Sequence, residues 1–341
     1  MLSWFDAHLD LAYLAELGRD MHAPLHDCRG PLQPAAVTLP ALRQGRIHAC
    51  LGTVFTEAVD SATTDAAPYT YPHDNTNAAS IAGLRQIKLY HAWRDAGLIN
   101  IMPPRGHTQW ASTSPTLQLG ILMECADPIE SPETLVNWYE HGVIAIGLAW
   151  WRGSRYAGGN GTPGRGLTPQ GRELVARIDQ LGIVHDLTHL SQHATDDLLE
   201  LSPATPIASH SNCRALLEPD NERHLADSTI REVGNRNGMI GINLVRNFIR
   251  TGIDRNNPND RPTIADTIAH VERICEIMGH RRGVGLGSDM DGGITAHDLP
   301  AGINRPADLT LLAEELHRRN WSDADIEGFA FSNWARFWSA S

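Results

Sequence analysis

No Cys-x-x-Cys pair occurs in this chain, and its five cysteines (Cys28, Cys50, Cys125, Cys213 and Cys275) are odd in number and widely scattered. That excludes a disulfide framework or a zinc ribbon as the organising device, and it fits a reducing cytoplasm. No basic segment leads into a long apolar run, so neither a secretory leader nor a membrane span is expected from these residues. Positive charge is also short: 28 Lys and Arg against 40 Asp and Glu leave a net charge of −12, which argues against binding nucleic-acid phosphates. There is no internal repeat, no low-complexity tract, and no Gly-x-Gly-x-x-Gly fingerprint after any strand candidate.

What remains is an ordinary globular composition, 42% hydrophobic and 20% charged over 341 residues, with 17 histidines to account for. Short apolar runs recur along the whole length. They begin at Trp4-Phe5-Asp6-Ala7-His8-Leu9-Asp10 and continue with Ile47 to Phe55, Leu117 to Glu124, Val143 to Trp150, Ile183 to Thr188, Pro206 to Ser211, Met239 to Leu244 and Val284 to Asp289. Helical spacing covers 75–96, 168–181, 191–201, 227–237 and 263–279, with two more helices at about 306–319 and 322–338. Thr168 is an N-cap and Gly182 a stop signal for the second of these. Residues 18–40 read as a long loop, and a Pro- and Thr-rich loop follows the second strand. Strands alternating with helices imply a parallel sheet with right-handed crossovers. Eight such units over residues 1–341 predict a single (β/α)8 TIM barrel domain closed by C-terminal helices, with a doubly wound sheet as the alternative.

The ends of these strands carry the chemistry. Strand alternation predicts that Asp6, His8 and Asp10 project together, away from Phe5, Ala7 and Leu9. The third strand closes on Glu124, the fifth runs into His189, the sixth into His210, and the eighth into Asp289. Gly285 and Gly287 share the parity of Asp289 and are expected to leave room at the mouth. Singly, His8 and Asp10 read as surface residues, and His189 and His210 as hydrogen-bonded core histidines. A Glu ending an apolar strand, by contrast, needs a partner. A barrel gathers all these ends at one mouth, where imidazoles and carboxylates form a donor set for two metals of the zinc type. His185 lies about 13 Å from His189 along a strand at ~3.3 Å per residue, so it reads as an interior hydrogen-bonded residue.

In this order the motifs resemble the membrane (renal) dipeptidases and their bacterial relatives in the amidohydrolase superfamily. Asp6-Ala7-His8-Leu9-Asp10 is similar to the family's Asp-Gly-His-x-Asp opening, and Glu124 stands at its bridging Glu. Asp186-Leu187-Thr188-His189, Ala208-Ser209-His210-Ser211-Asn212 and Gly287-Ser288-Asp289-Met290-Asp291-Gly292 resemble three further signatures, and Gly166 to Arg172 a fourth. The resemblance implies His8 and Asp10 on one Zn2+, His189 and His210 on a second, and Glu124 bridging them. It further implies Asp289 as the proton-transfer residue and Arg223 on the substrate carboxylate. Asp6 is a candidate support for a ligand. The implied reaction is hydrolysis of a dipeptide by attack of a metal-bridging hydroxide.

Three departures bear on the substrate. Trp150 stands where the family has a His that contacts the substrate, and an indole N–H donates a hydrogen bond but carries no charge. Cys125, Ala126 and Asp127 replace two glycines after Glu124, and Leu244-Val245 replaces an aromatic pair. These leave open a binuclear hydrolase for another amide, lactam or ester, or a metal-loaded binding protein with little turnover. A small dipeptide-like substrate is the expected partner, without nucleic acid or membrane. The fold class also admits a homodimer, for which no interface is legible.

Overall fold

The computed structural model describes residues 2–60 and 67–340. Eight strands form its centre: β1 (Trp4–Leu9), β2 (Ile47–Val54), β3 (Leu117–Met123), β4 (Val143–Gly147), β5 (Val184–Asp186), β6 (Ile207–Ala208), β7 (Met239–Ile242) and β8 (Val284–Leu286). Each pairs in parallel with its sequence neighbour, and β8 returns to β1 at Asp6 opposite Leu286. The sheet is thus a closed (β/α)8 barrel, as the alternation of strands and helices predicts. A short strand, Ile99–Ile101, pairs with the start of β3, and Glu57–Val59 pairs with Thr70–Pro72 above the mouth. Neither of these small pairings is legible in the sequence. The Pro- and Thr-rich loop after β2 falls partly on residues 61–66, outside the described residues. No helix is long and apolar enough to cross a membrane, among the described residues.

The crossover helices follow their local signals. Pro169–Leu181 starts where Thr168 Oγ1 accepts the Gly171 N–H at 3.0 Å, and it stops at Gly182 with φ 66°. Leu174, Val175 and Ile178 are its buried stripe. Outside the strands, Ile121, Ile146, Ile240, Val284 and Leu286 pack against the helices. A second cluster joins Phe5, Leu51, Leu122, Ile144, Val184, Ile207 and Met239 with Phe331, Trp334 and Trp338. That cluster is the barrel interior, sealed at the N-terminal end of the strands by the chain's last helix, Asn333–Ser339. Trp334 Nε1 donates to Leu286 O at 3.0 Å there.

Two sequence expectations change. Strict alternation along β1 fails because Asp6 sits opposite Cys50 while Leu9 sits opposite Gly52: three steps on one strand meet two on the other. This bulge puts Phe5 and Ala7 in the inner cluster and Leu9 in the outer one. Asp10 lies past the strand, at the N-cap of helix Leu11–Glu16. Gly285, in turn, makes no room at the mouth: a Cβ there would strike Trp334 at the closed end. At Gly287 a Cβ would strike the Ser209 carbonyl, so that glycine lets β6 and β8 converge.

Candidate metal centre

The strands stop short of the residues they aim. β5, β6 and β8 end at Asp186, Ala208 and Leu286, and His189 and Asp289 follow with φ of 67° and 58°. Left-handed backbone at non-glycine residues is costly and clusters where geometry serves a site. Here it turns His189 and Asp289 over the barrel mouth.

Five of the expected side chains meet there, all buried. His8 Nε2 lies 3.8 Å from Asp10 Oδ1 and 3.7 Å from Glu124 Oε2. Glu124 Oε1 lies 3.1 Å from His189 Nε2 and 3.8 Å from His210 Nε2, and those two nitrogens are 3.1 Å apart. Glu124 therefore stands between two groups of donors, one carboxylate oxygen towards each. His8, Asp10 and Asp289 form a further close trio. His8 Nε2 and Glu124 Oε2 have no hydrogen-bond partner although both are buried. Such atoms are expensive unless something outside the chain satisfies them. A borderline divalent cation fits this set of imidazole nitrogens and carboxylate oxygens.

The surroundings hold the rings in place. His210 Nδ1 lies 2.8 Å from Ser209 Oγ, and His189 Nδ1 lies 3.2 Å from Asn160 Oδ1. Ser209 Oγ and N–H both donate to Asp186, which also accepts the Thr188 N–H. Thr53 Oγ1 donates to Asp10. Outer contacts of this kind fix ring orientation and tautomer. Burial, aided by the Arg223 charge, holds His8, His189 and His210 well below their usual range, so they are neutral and able to ligate. Burial and then the neighbouring carboxylates push Glu124 up; burial pushes Asp10 up to about 6. A bound cation reverses that crowding. Asp6 does not touch an imidazole ring of the cluster. It accepts from Ser288 and from the His8 N–H, tying the ends of β1 and β8 together.

Asp289 is pushed up to about 8, by burial first and then by Asp10. Asn243 Nδ2 donates to its Oδ2 at 2.9 Å, leaving Oδ1 towards Gly292, where any Cβ would strike both Asp289 Oδ1 and Asp10 Oδ2. Arg223 is buried, with donors on Ser211 Oγ (3.3 Å) and His210 O (3.0 Å), and its guanidinium lies 4.8 Å over the Phe248 ring. Its Nε has no partner, and it forms no ion pair among the described residues. Both side chains face a cavity of about 410 Å³ that also reaches Asp10, Glu124, His189 and His210. Trp150 lines it too, 5.1 Å from Phe55 and 5.9 Å from His189, ring to ring.

Several functional neighbours were not legible. Tyr13 from helix Leu11–Glu16, Phe55 and Tyr69 from the connection after β2, and Phe248 from the one after β7 line the cavity and follow no motif. Asn243 has a signal in retrospect, since it follows β7 as His210 follows β6. His185 keeps away from the centre and bonds Asp179 Oδ1 at 2.8 Å, in keeping with its reading as an interior residue. Cys125 and Ala126 are buried, and Asp127 lies outside the cavity lining. It ties two loops, accepting from Tyr71 Oη at 2.5 Å and from the Arg155 N–H at 3.0 Å.

The family model described as membrane dipeptidase (peptidase family M19) matches residues 2–341. An uncharacterised dipeptidase of Schizosaccharomyces pombe is 32% identical over 182 residues, 52% of this chain and 40% of its own length. A Klebsiella pneumoniae protein encoded in the pqqA 5′ region is 30% identical over 209 residues, covering 59% of this chain and 73% of that protein. The chain thus spans less than half the length of the first of these relatives. Among solved structures, a dipeptidase described as a metallopeptidase of family M19 superposes with a TM-score of 0.82 at 23% identity, covering 99% of both chains. A metallopeptidase from Rhodobacter sphaeroides, liganded with a phosphinate mimic of the dipeptide L-Ala-D-Ala, gives 0.81 at 22% identity over 98% of both. At that identity the superpositions speak for the fold.

Proposed function

The chain belongs to the membrane dipeptidase family, peptidase family M19, and from that premise we propose that it is a metal-dependent dipeptidase. The observation that carries the reading is Arg223. A buried guanidinium without a carboxylate partner shares one cavity with Glu124, whose Oε2 is unpartnered, as is His8 Nε2 3.7 Å behind it. A guanidinium fork matches a carboxylate in geometry and charge, so Arg223 would hold the free C-terminus of a dipeptide. A longer peptide places no carboxylate there.

His8, Asp10, Glu124, His189 and His210 would hold two Zn2+ ions, with Glu124 bridging. When bound, such ions supply Lewis acidity and a water that ionises near neutral pH. The rest falls to the chain. Arg223 orients the substrate with its peptide bond over Glu124 and the histidines. Asp289, anchored through Oδ2 by Asn243, keeps Oδ1 free to take a proton from the attacking water and deliver it to the leaving amine. The Trp150 indole bounds the substrate beside His189. The five cysteines, all unpaired, support a reducing cytoplasmic setting.

The test is a panel of L,L- and L,D-dipeptides, N-acyl amino acids and lactones, assayed after chelation and again after zinc is restored. Zinc-restored release of amino acids from dipeptides is expected. Hydrolysis of only the acylated or lactone substrates would overturn the dipeptidase reading, and no restored activity on any of them would favour a binding role.

A further inference from the structure

The wall of the cavity opposite Arg223 carries chemistry that peptide hydrolysis does not require. Tyr13, Phe55 and Tyr69 meet with ring centroids 4.8 to 5.5 Å apart, and Trp150 extends the group from Phe55. Glu57 lines the same wall, half-buried, its backbone N–H donating to Tyr69 O at 3.1 Å. Among the described residues its carboxylate has neither an ion pair nor a hydrogen bond; Arg152 pairs with Asp60 instead. Burial raises its pKa, and the charge of Arg152 offsets only part of that rise. Aromatic faces are negative and a carboxylate more so, which makes this wall attractive to a cation and repellent to an anion.

Barrel topology says which part of a substrate reaches it. Arg223 and Phe248 sit on the loops after β6 and β7, and β2, which leads into Phe55 and Glu57, lies across the barrel from β6. A dipeptide anchored through its carboxylate on Arg223, with its peptide bond over Glu124, directs its first residue to the β1–β2 side. The α-amino group is two bonds from the scissile carbonyl carbon and stays near Asp10 and Asp289. Only the first side chain extends to the aromatic wall.

We propose that Glu57, framed by Tyr13, Phe55 and Tyr69, is the specificity determinant for the N-terminal side chain, and that it selects a cationic one such as lysyl, ornithyl or arginyl. The inference rests on the dipeptidase reading above.

The experiment compares Lys-Ala, norleucyl-Ala and Glu-Ala on the zinc-loaded wild type and on Glu57→Gln and Glu57→Lys. Norleucine keeps the lysyl chain and lacks its ammonium. Lys-Ala is expected to exceed norleucyl-Ala about tenfold in kcat/KM, a size suited to a half-exposed charge pair over aromatic faces. Glu57→Gln should erase that ratio by lowering Lys-Ala more than norleucyl-Ala, and Glu57→Lys should turn the preference to Glu-Ala. Calorimetric binding of the same dipeptides to the metal-free protein gives a readout without turnover. Equal handling of Lys-Ala and norleucyl-Ala by the wild type overturns the subsite, as does an equal loss on every substrate in Glu57→Gln. If no dipeptide is cleaved while binding keeps its dependence on Glu57, the subsite stands and the reaction falls. If neither cleavage nor preferential binding appears, both fall.

Discussion

Arg19 and Asp291, 272 positions apart in sequence, face each other with both side chains fully buried. The guanidinium also donates to Pro31 O, Leu32 O and Val37 O, while the carboxylate accepts the N–H groups of Ala36 and Val37. The pair fastens the long loop after β1 to the turn after β8, two residues beyond Asp289. Asp291 itself has φ 63°, a conformation that Asp and Asn tolerate better than most residues.

Removing one partner strands the other in the interior. Arg19→Met is expected to lower unfolding free energy by about 3–5 kcal/mol, the cost of breaking a buried pair from one side. Asp291→Asn keeps the turn and one acceptor and should cost less. The double variant should cost less than the two single changes added together, because each single variant already loses the pair. Urea titrations of the four proteins measure this, and additive costs would show that the two residues do not act as a pair.

Metal binding should depend on residues that touch no metal. Ser209→Ala leaves every donor in place but frees His210 Nδ1 and removes a donor to Asp186. Zinc affinity is expected to fall about 10–100-fold, as for other losses of support behind a ligand. His189→Ala and His210→Ala should go further and reduce the zinc bound per chain, read by elemental analysis after dialysis. Undiminished stoichiometry in both would rule out the proposed ligand set.

Arg223 offers a test that separates recognition from chemistry. Arg223→Met should weaken kcat/KM for dipeptides about 10–100-fold, the worth of one charge-assisted hydrogen bond at ~1.5–3 kcal/mol. The corresponding dipeptide amides, which lack the carboxylate, should be cleaved poorly and almost equally by wild type and variant. An equal loss on acids and amides would assign Arg223 to holding the loop instead.

The barrel and the donor set were legible because both leave local marks. Apolar runs of strand length alternate with capped helices such as Thr168–Gly182, and an imidazole or carboxylate at a strand end stands out against the run that carries it. How those side chains are aimed was not legible. The bulge that brings His8 round depends on the register between β1 and β2, a pairing invisible in either strand alone. Asp289 and His189 reach the mouth through left-handed backbone beyond the strands, where side-chain alternation has no meaning. Tyr13, Phe55, Glu57 and Tyr69 follow β1 and β2 without a motif, and only barrel closure sets them opposite Arg223.

Asp179 and His185 give the pH dependence its clearest sign. His185 Nε2 and Ser202 Oγ each lie 2.8 Å from Asp179 Oδ1, on the helix-packed side of β5. Burial alone would raise the Asp179 pKa, but the hydrogen bond and charge of His185, with Ser202, outweigh it and bring it below the usual 3.8. A carboxyl whose folded pKa is depressed stabilises the fold above its unfolded value. That stability is lost as pH falls through the folded value. Asp179→Asn keeps the shape and removes the charge, so at neutral pH it should cost about 1 kcal/mol, a hydrogen-bond-sized effect reduced by partial exposure. The gap between wild type and variant should then close as the pH is taken below 3.8. Urea midpoints of both proteins across that range measure it; a gap that persists in acid would mean that the charge on Asp179 contributes nothing and that the cost of the variant is steric.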